Sequence, residues 1–209
     1  MDYREIIVSG EEYAPCLREL ADNTESRVID GRSVVYGRES RVIHDHLGKY
    51  VEIIEQGAVT AELLARSDIK MTLWHNRERL LARSNKGVGS LSLSVDDQGV
   101  RYRFEAPNTP DGNTALELVR RGDLSGSSFT YYAKPENVRW SKREDGTIIR
   151  RVLKIDYIGE MTIASDEAYR DTTVNAREVL DMVEPKPQPN NEWRAQVKAL
   201  RRRTNIFNS

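Results

Sequence analysis

Imidazole chemistry has few candidates in this chain, because it contains only three histidines. His75 ends an apolar stretch, residues 69–74, and is followed by Asn76 and Arg77. A histidine at the end of a buried strand is held in place yet stays reachable. Its proton affinity straddles neutrality, which is what a general base needs. A structural histidine hydrogen-bonded at a strand end fits the same local pattern. His44 and His46 flank Asp45. Residues two apart on a strand share a face, so these two could share a metal ion. Spacing places no third ligand, and a polar surface loop between Arg41 and Gly48 is the simpler reading. No metal or other cofactor is expected.

Two further stretches offer a hydroxyl and a carboxyl candidate. Ser125-Gly126-Ser127-Ser128-Phe129 follows a helical stretch and leads into a strand. Serine hydroxyls are weak nucleophiles without an adjacent base. A small-residue turn would present one without steric cover, although Gly/Ser loops with no chemical role are common. Glu160 lies in Ile158-Gly159-Glu160-Met161-Thr162-Ile163. An acid between apolar neighbours in a strand is either on the solvent face or buried with a partner, and an imidazolium is a natural partner.

The elements that must position these residues are mainly strands. Residues 4–8 read as a strand, followed by a helix in which Ser9 and Glu12 have capping-box spacing and Tyr13, Leu17, Leu20 and Ala21 recur at helical period. From about residue 27 to 177 the pattern is strand-like. Asp30-Gly31 is a turn signal between Val28-Ile29 and Val34-Val35-Tyr36. Leu91, Leu93 and Val95 alternate with serines, and Tyr102 and Phe104 with charged residues, around a turn at Gly99. Asp145-Gly146 predicts a hairpin between Val138-Arg139-Trp140 and Ile148-Ile149. Two short helices interrupt the strands, one capped by Thr60 and one starting at Thr114 with Glu117 and ending at Gly122. Pro185, Pro187 and Pro189 alternate with polar residues and mark an extended linker. Beyond it a basic helical tail carries Arg194, Lys198, Arg201, Arg202 and Arg203. The expected organisation is an N-terminal strand–helix extension over residues 1–26, one main domain over 27–183, and a linker and tail over 184–209.

Composition narrows the function classes. In 209 residues, 32 Lys and Arg balance 33 Asp and Glu for a net charge of -1, so the body carries no basic signature for nucleic acid. No apolar run approaches the ~20 residues that span a bilayer, and the N-terminus does not read as a signal peptide. Cys16 is the only cysteine, which excludes an intrachain disulfide and a cysteine-based zinc site. A soluble protein of a reducing compartment is expected.

Taken in order, these segments resemble the HK97-type phage prohead proteases, a family of serine peptidases. The resemblance covers about residues 28–177. Val34-Val35-Tyr36-Gly37 with Ser40 is similar to the family's opening strand and loop, and Glu52 through Gly57-Ala58 to its Glu-x-x-x-x-Gly-Ala segment. Leu73-Trp74-His75-Asn76 is similar to the histidine motif. Gly122-Asp123-Leu124-Ser125-Gly126-Ser127-Ser128-Phe129 matches the serine motif most closely. The stretch from Ile158 to Ala168-Tyr169 resembles the terminal glutamate segment. The chain departs from the pattern at Ala82, Thr130, Met161-Thr162 and Glu167, none of which removes a side chain of the implied site.

What the resemblance implies is specific. Ser128 would be the nucleophile, His75 the general base and Glu160 the third member of the site. The fold would be mainly β (α+β), a small closed β-barrel with flanking helices like the herpesvirus assembly proteases. The implied work is capsid maturation in the host bacterial cytoplasm, inside the procapsid. There the enzyme would cleave the scaffolding segment of the major capsid protein and then itself, and could self-associate. No membrane and no specific nucleic acid is implied as a partner. The competing readings are an inactive capsid-assembly or scaffold protein on the same fold, a nucleic-acid binder using the basic tail, and a His44/His46 metal hydrolase. The intact His75, Ser128 and Glu160 speak against the first.

Overall fold

Period-two patterning, with apolar residues on one face and hydroxyls or acids on the other, organises the centre of the molecule. The computed structural model describes residues 4–9, 14–17, 26–45 and 48–165. Among these the strands, numbered in chain order, form three sheets. The first has six strands in the order β1 (Arg4–Ser9), β11 (Gly126–Tyr132), β14 (Tyr157–Ala164), β6 (Asp68–Leu73), β7 (Asn76–Asn85) and β8 (Val88–Gly89). The second runs β2 (Cys16–Leu17), β3 (Val28–Val35), β10 (Gly99–Glu105), β9 (Leu91–Val95). The third runs β12 (Val138–Lys142), β13 (Ile148–Val152), β5 (Gly48–Ile54), β4 (Ile43–Asp45). Two helices, α1 (Ala61–Arg66) and α2 (Pro110–Arg120), pack against the same core.

In the six-stranded sheet β14 pairs antiparallel with β11 and parallel with β6. Phe129, Met161, Ile163, Met71 and Leu73 are completely buried and share the core with Ile29, Tyr102 and Phe104 of the second sheet. Alternation puts Ser128, Glu160, Thr162 and Thr72 on the opposite face. These four are buried as well, so the sheet is covered on both sides and its second face is polar.

The mainly β composition with few helices matches the expectation. Each sheet's hydrogen-bonded order has two ends, so ladder pairing among the described residues does not close a barrel. The hairpin expected at Asp30-Gly31 does not form: β3 runs straight through both residues. Gly31 is needed there because a Cβ at this position would lie 2.3 Å from the Tyr102 hydroxyl. The glycine admits a ring rather than a turn. The N-terminal helix does not extend over residues 14–17, where Cys16–Leu17 instead pairs with Asp30 and Ile29. Pro15 lacks an amide donor and disfavours the helical conformation in the residue before it. The second helix starts earlier than its Thr114 signal. Thr109 accepts the Gly112 N–H, Pro110 occupies the first turn, and the Thr114 hydroxyl donates back to the Pro110 carbonyl at 2.8 Å. Thr60 caps α1 as expected, accepting from the Leu63 N–H. Asp145-Gly146 closes the β12–β13 hairpin. The linker and basic tail over 184–209 lie outside the described residues. Among the described residues no helix is long and apolar enough to cross a membrane.

Candidate active site

His75 sits in a two-residue loop. β6 ends at Leu73, β7 begins at Asn76, and these two residues pair, leaving Trp74 and His75 as the connection. Both have φ of 54°, the sign that a tight type I′ hairpin requires at its two central positions. Glycine and asparagine favour that conformation, whereas bulky residues hold it at a cost of about 1–3 kcal/mol each and only where the surroundings over-determine it. Three contacts do so here. The Trp74 N–H donates to the Ile163 carbonyl at 3.1 Å. The His75 N–H donates to Thr162 Oγ1 at 3.0 Å. The Arg79 guanidinium lies 4.5 Å from the Trp74 ring centroid and donates through Nε to Asp111, in the first turn of α2, at 2.7 Å.

Glu160 faces this loop from the middle of β14. Its Oε2 lies 3.7 Å from His75 Nδ1, an ion-pair distance somewhat longer than a hydrogen bond. Its Oε1 accepts the Thr72 hydroxyl at 2.7 Å. Burial raises the affinity of the carboxyl for its proton, but His75 and the Thr72 hydroxyl outweigh it and hold Glu160 below the usual carboxylate value. The group is therefore anionic at neutral pH. Of the two expectations for this acid, the buried one with an imidazole partner holds.

Ser128 lies on the neighbouring strand. It pairs with Thr162 of β14 on one side and with Ile7 of β1 on the other. Residues directly opposite in an antiparallel pair project from the same face, so Ser128, Thr162 and Glu160 share one side of the sheet. The small-residue turn expected at this motif is a strand instead, because β1 and β14 pair with its backbone on both edges. Ser128 is completely buried, so its hydroxyl is not presented on an open turn. Ser127 points the other way, into the core, with its Oγ 2.8 Å from the Tyr102 hydroxyl. Alternation thus separates two adjacent serines into a core residue and one on the face that carries Glu160.

This geometry can support proton transfer. A carboxylate at Nδ1 orients an imidazole and stabilises its cation, which leaves Nε2 for exchange with a hydroxyl. Residues that sequence reasoning missed are Thr72 and Thr162. Thr162 accepts from the His75 backbone and donates to the Thr72 carbonyl at 3.0 Å. The available signal was their period-two relation: Thr162 follows Glu160 by two, and threonines at alternate positions in otherwise apolar buried strands face the polar side. His44 lies on β4 in the third sheet, apart from His75, and His46 is outside the described residues. Among the described residues no group of three or more His, Cys, Asp or Glu could hold a metal ion.

No curated protein and no solved structure matches the chain. The family model that describes the caudovirus prohead serine protease matches residues 16–185, a span that contains His75, Ser128 and Glu160. With most of its length matched, the chain belongs to the caudovirus prohead serine protease family.

Proposed function

We propose that the protein is a serine endopeptidase of phage capsid maturation in which Ser128 is the nucleophile, His75 the general base and Glu160 the acid that orients His75. The observation that carries this reading is the convergence of His75 Nδ1 and Glu160 at 3.7 Å on the sheet face shared with Ser128. In the reaction His75 Nε2 takes the Ser128 proton as Oγ attacks the scissile carbonyl. The imidazolium then gives that proton to the leaving amine, and water completes hydrolysis of the acyl-enzyme by the reverse use of His75. Glu160 stays ionised throughout. The His75 side chain is 20% exposed while Ser128 is buried, so the peptide approaches from the imidazole side.

Family membership implies a serine peptidase that works on phage capsid protein inside the procapsid. The finer reading is that the substrate is the scaffolding segment of the major capsid protein, followed by the enzyme itself, in the host bacterial cytoplasm. Residues 27–183 would form the protease domain. Residues 1–26 add a strand beside the one that carries Ser128, and residues 184–209 would dock the enzyme on its scaffold partner. A barrel with open seams is supported by contacts of β1 and β11 with β3 at one side and of β7 with β9 at the other. The test is labelling by a fluorophosphonate probe. Modification of Ser128, lost in Ser128→Ala, is the expected result, and an unlabelled wild-type protein would remove the enzymatic reading.

A further inference from the structure

We propose that Thr162 is the positioning residue of His75, a role that rests on the reading of His75 as general base. One strand, β14, holds the histidine at two points. Glu160 meets the ring at Nδ1. Two residues on, Thr162 accepts the His75 backbone N–H at 3.0 Å and donates to the Thr72 carbonyl at 3.0 Å. The backbone ladder cannot supply the first of these bonds. Trp74 takes the Ile163 carbonyl, and the chain then turns away through two residues with positive φ, beyond the end of regular pairing. A side-chain oxygen therefore replaces the missing main-chain acceptor.

The hydroxyl, not the volume, is the functional part of this residue. Thr162 is completely buried, between Ser128 in register on β11 and Thr72 in register on β6. Valine would fill the same space, yet it would leave a half-buried N–H and a buried carbonyl facing a methyl group. Loss of the bridge removes the backbone anchor next to the imidazole and loosens the loop that aims it toward Glu160. Orientation at this level is where catalysis is sensitive, since a shift of about 1 Å can cost roughly a hundredfold in rate.

The test compares Thr162→Val and Thr162→Ser with the wild type by the rate of fluorophosphonate labelling at Ser128 and by thermal melting. The valine variant is expected to melt cooperatively but label about 30- to 100-fold more slowly, while serine stays within about threefold of wild type. Labelling of the valine variant within that threefold window overturns the proposal, as does a serine variant as slow as valine. A second measurement follows the His75 imidazole by NMR over a pH titration, with the only other histidines, His44 and His46, as internal references. The His75 signal and its midpoint should move in Thr162→Val and return in Thr162→Ser. If the valine variant does not fold, Thr162→Ala takes its place in both measurements, and an unchanged His75 titration there overturns the proposal. An unlabelled wild type with a Thr162-dependent His75 titration would instead refute the catalytic assignment and leave the positioning intact.

Discussion

Two glutamates among the described residues are almost completely buried, Glu160 at 6% exposure and Glu52 at 1%, and their partners set them apart. Glu52, on β5, accepts the Tyr131 hydroxyl at 2.7 Å and is ion-paired with Arg150 of β13. The Arg150 guanidinium also lies 5.9 Å from the Trp140 ring. Burial lowers the proton affinity of Arg150, but Glu52 and Tyr131 more than offset it, so its value is raised further. Burial likewise drives Tyr131 well above its usual value. Arg150 and Tyr131 therefore both keep their protons near neutrality, and the cluster ties the third sheet to β11. Glu160 faces a histidine instead, in a position one side of which reaches solvent. A buried carboxylate beside an arginine holds structure. A buried carboxylate beside an imidazole can take part in a proton-transfer cycle, because its partner changes charge reversibly.

The largest expected effect tests which serine belongs to which region. Ser128→Ala and His75→Ala should each lower peptide-bond cleavage by roughly 10⁴- to 10⁶-fold, as loss of a member of an interdependent set does. Ser127→Ala should remain active and instead lose about 1–3 kcal/mol of stability, since it strands the buried Tyr102 hydroxyl. Processing of co-expressed capsid protein and urea denaturation of both serine variants check this together. A dead Ser127→Ala with an active Ser128→Ala would reverse the assignment of the two faces.

The next pair separates the two glutamates directly. Glu160→Gln keeps the shape and the Thr72 contact but removes the charge that stabilises the imidazolium, so labelling and turnover should fall by about 10²- to 10⁴-fold. Glu52→Gln leaves Arg150 buried without its counter-ion and should cost about 3–5 kcal/mol of stability. Activity per folded molecule should then be close to wild type. Active-site titration alongside denaturation distinguishes the two outcomes.

A smaller effect is expected in the pH dependence of stability. The folded-state value of Glu160 lies below its ordinary 4.5, so the folded protein binds this proton more weakly than the unfolded chain. Its contribution is complete above that ordinary value and is lost as pH falls through the lower folded value. The stability difference between wild type and Glu160→Gln should therefore shrink on acidification below about pH 4.5, a range in which His75 is already protonated. A difference that grows over that acid range would mean that the carboxyl holds its proton more tightly in the native state than in the unfolded chain.

How far the sequence discloses this arrangement depends on the range of the interactions involved. His75 at a strand end follows from local pattern, because an apolar run that stops at a polar triplet is a short-range signal. The turn at Trp74-His75 has little such signal: tryptophan does not favour positive φ, and the contacts that impose it come from Ile163, Thr162 and, through Arg79, Asp111. The burial of Glu160 is undecided by its own stretch, since alternation gives its face but not whether that face is covered. Gly31 misleads for the same reason. Its purpose is room for Tyr102, a residue 71 positions along the chain, and nothing in Asp30-Gly31 distinguishes that from a turn. The serine motif reads as a loop by composition and becomes a strand only through pairing with β1 and β14. Motif order identifies the family where local chemistry alone leaves alternatives open.

The smallest expected effect comes from the outer support of the His75 loop. Arg79 joins Trp74 to Asp111, and so couples the loop to the N-terminal turn of α2. Both members of the Arg79–Asp111 pair are partly exposed, at 29% and 33%, which limits such a pair to about 0.2–1 kcal/mol after solvent screening. The stacking on Trp74 adds a similar amount, about 0.5–1 kcal/mol. Neither contact touches His75, whose backbone N–H is already fixed by Thr162. Arg79→Ala should therefore slow labelling of Ser128 by no more than about fivefold, and Asp111→Asn by less, because it keeps the arginine over the ring. The two effects should not add, since one side chain mediates both contacts. High salt should weaken the Asp111 contribution and leave the stacking, a distinction that labelling rates at low and high ionic strength can resolve. A loss in Arg79→Ala as large as that in Glu160→Gln would show that the loop is held from α2 rather than from β14, and would move the control of His75 from the strand that carries Glu160 to the helix that carries Asp111.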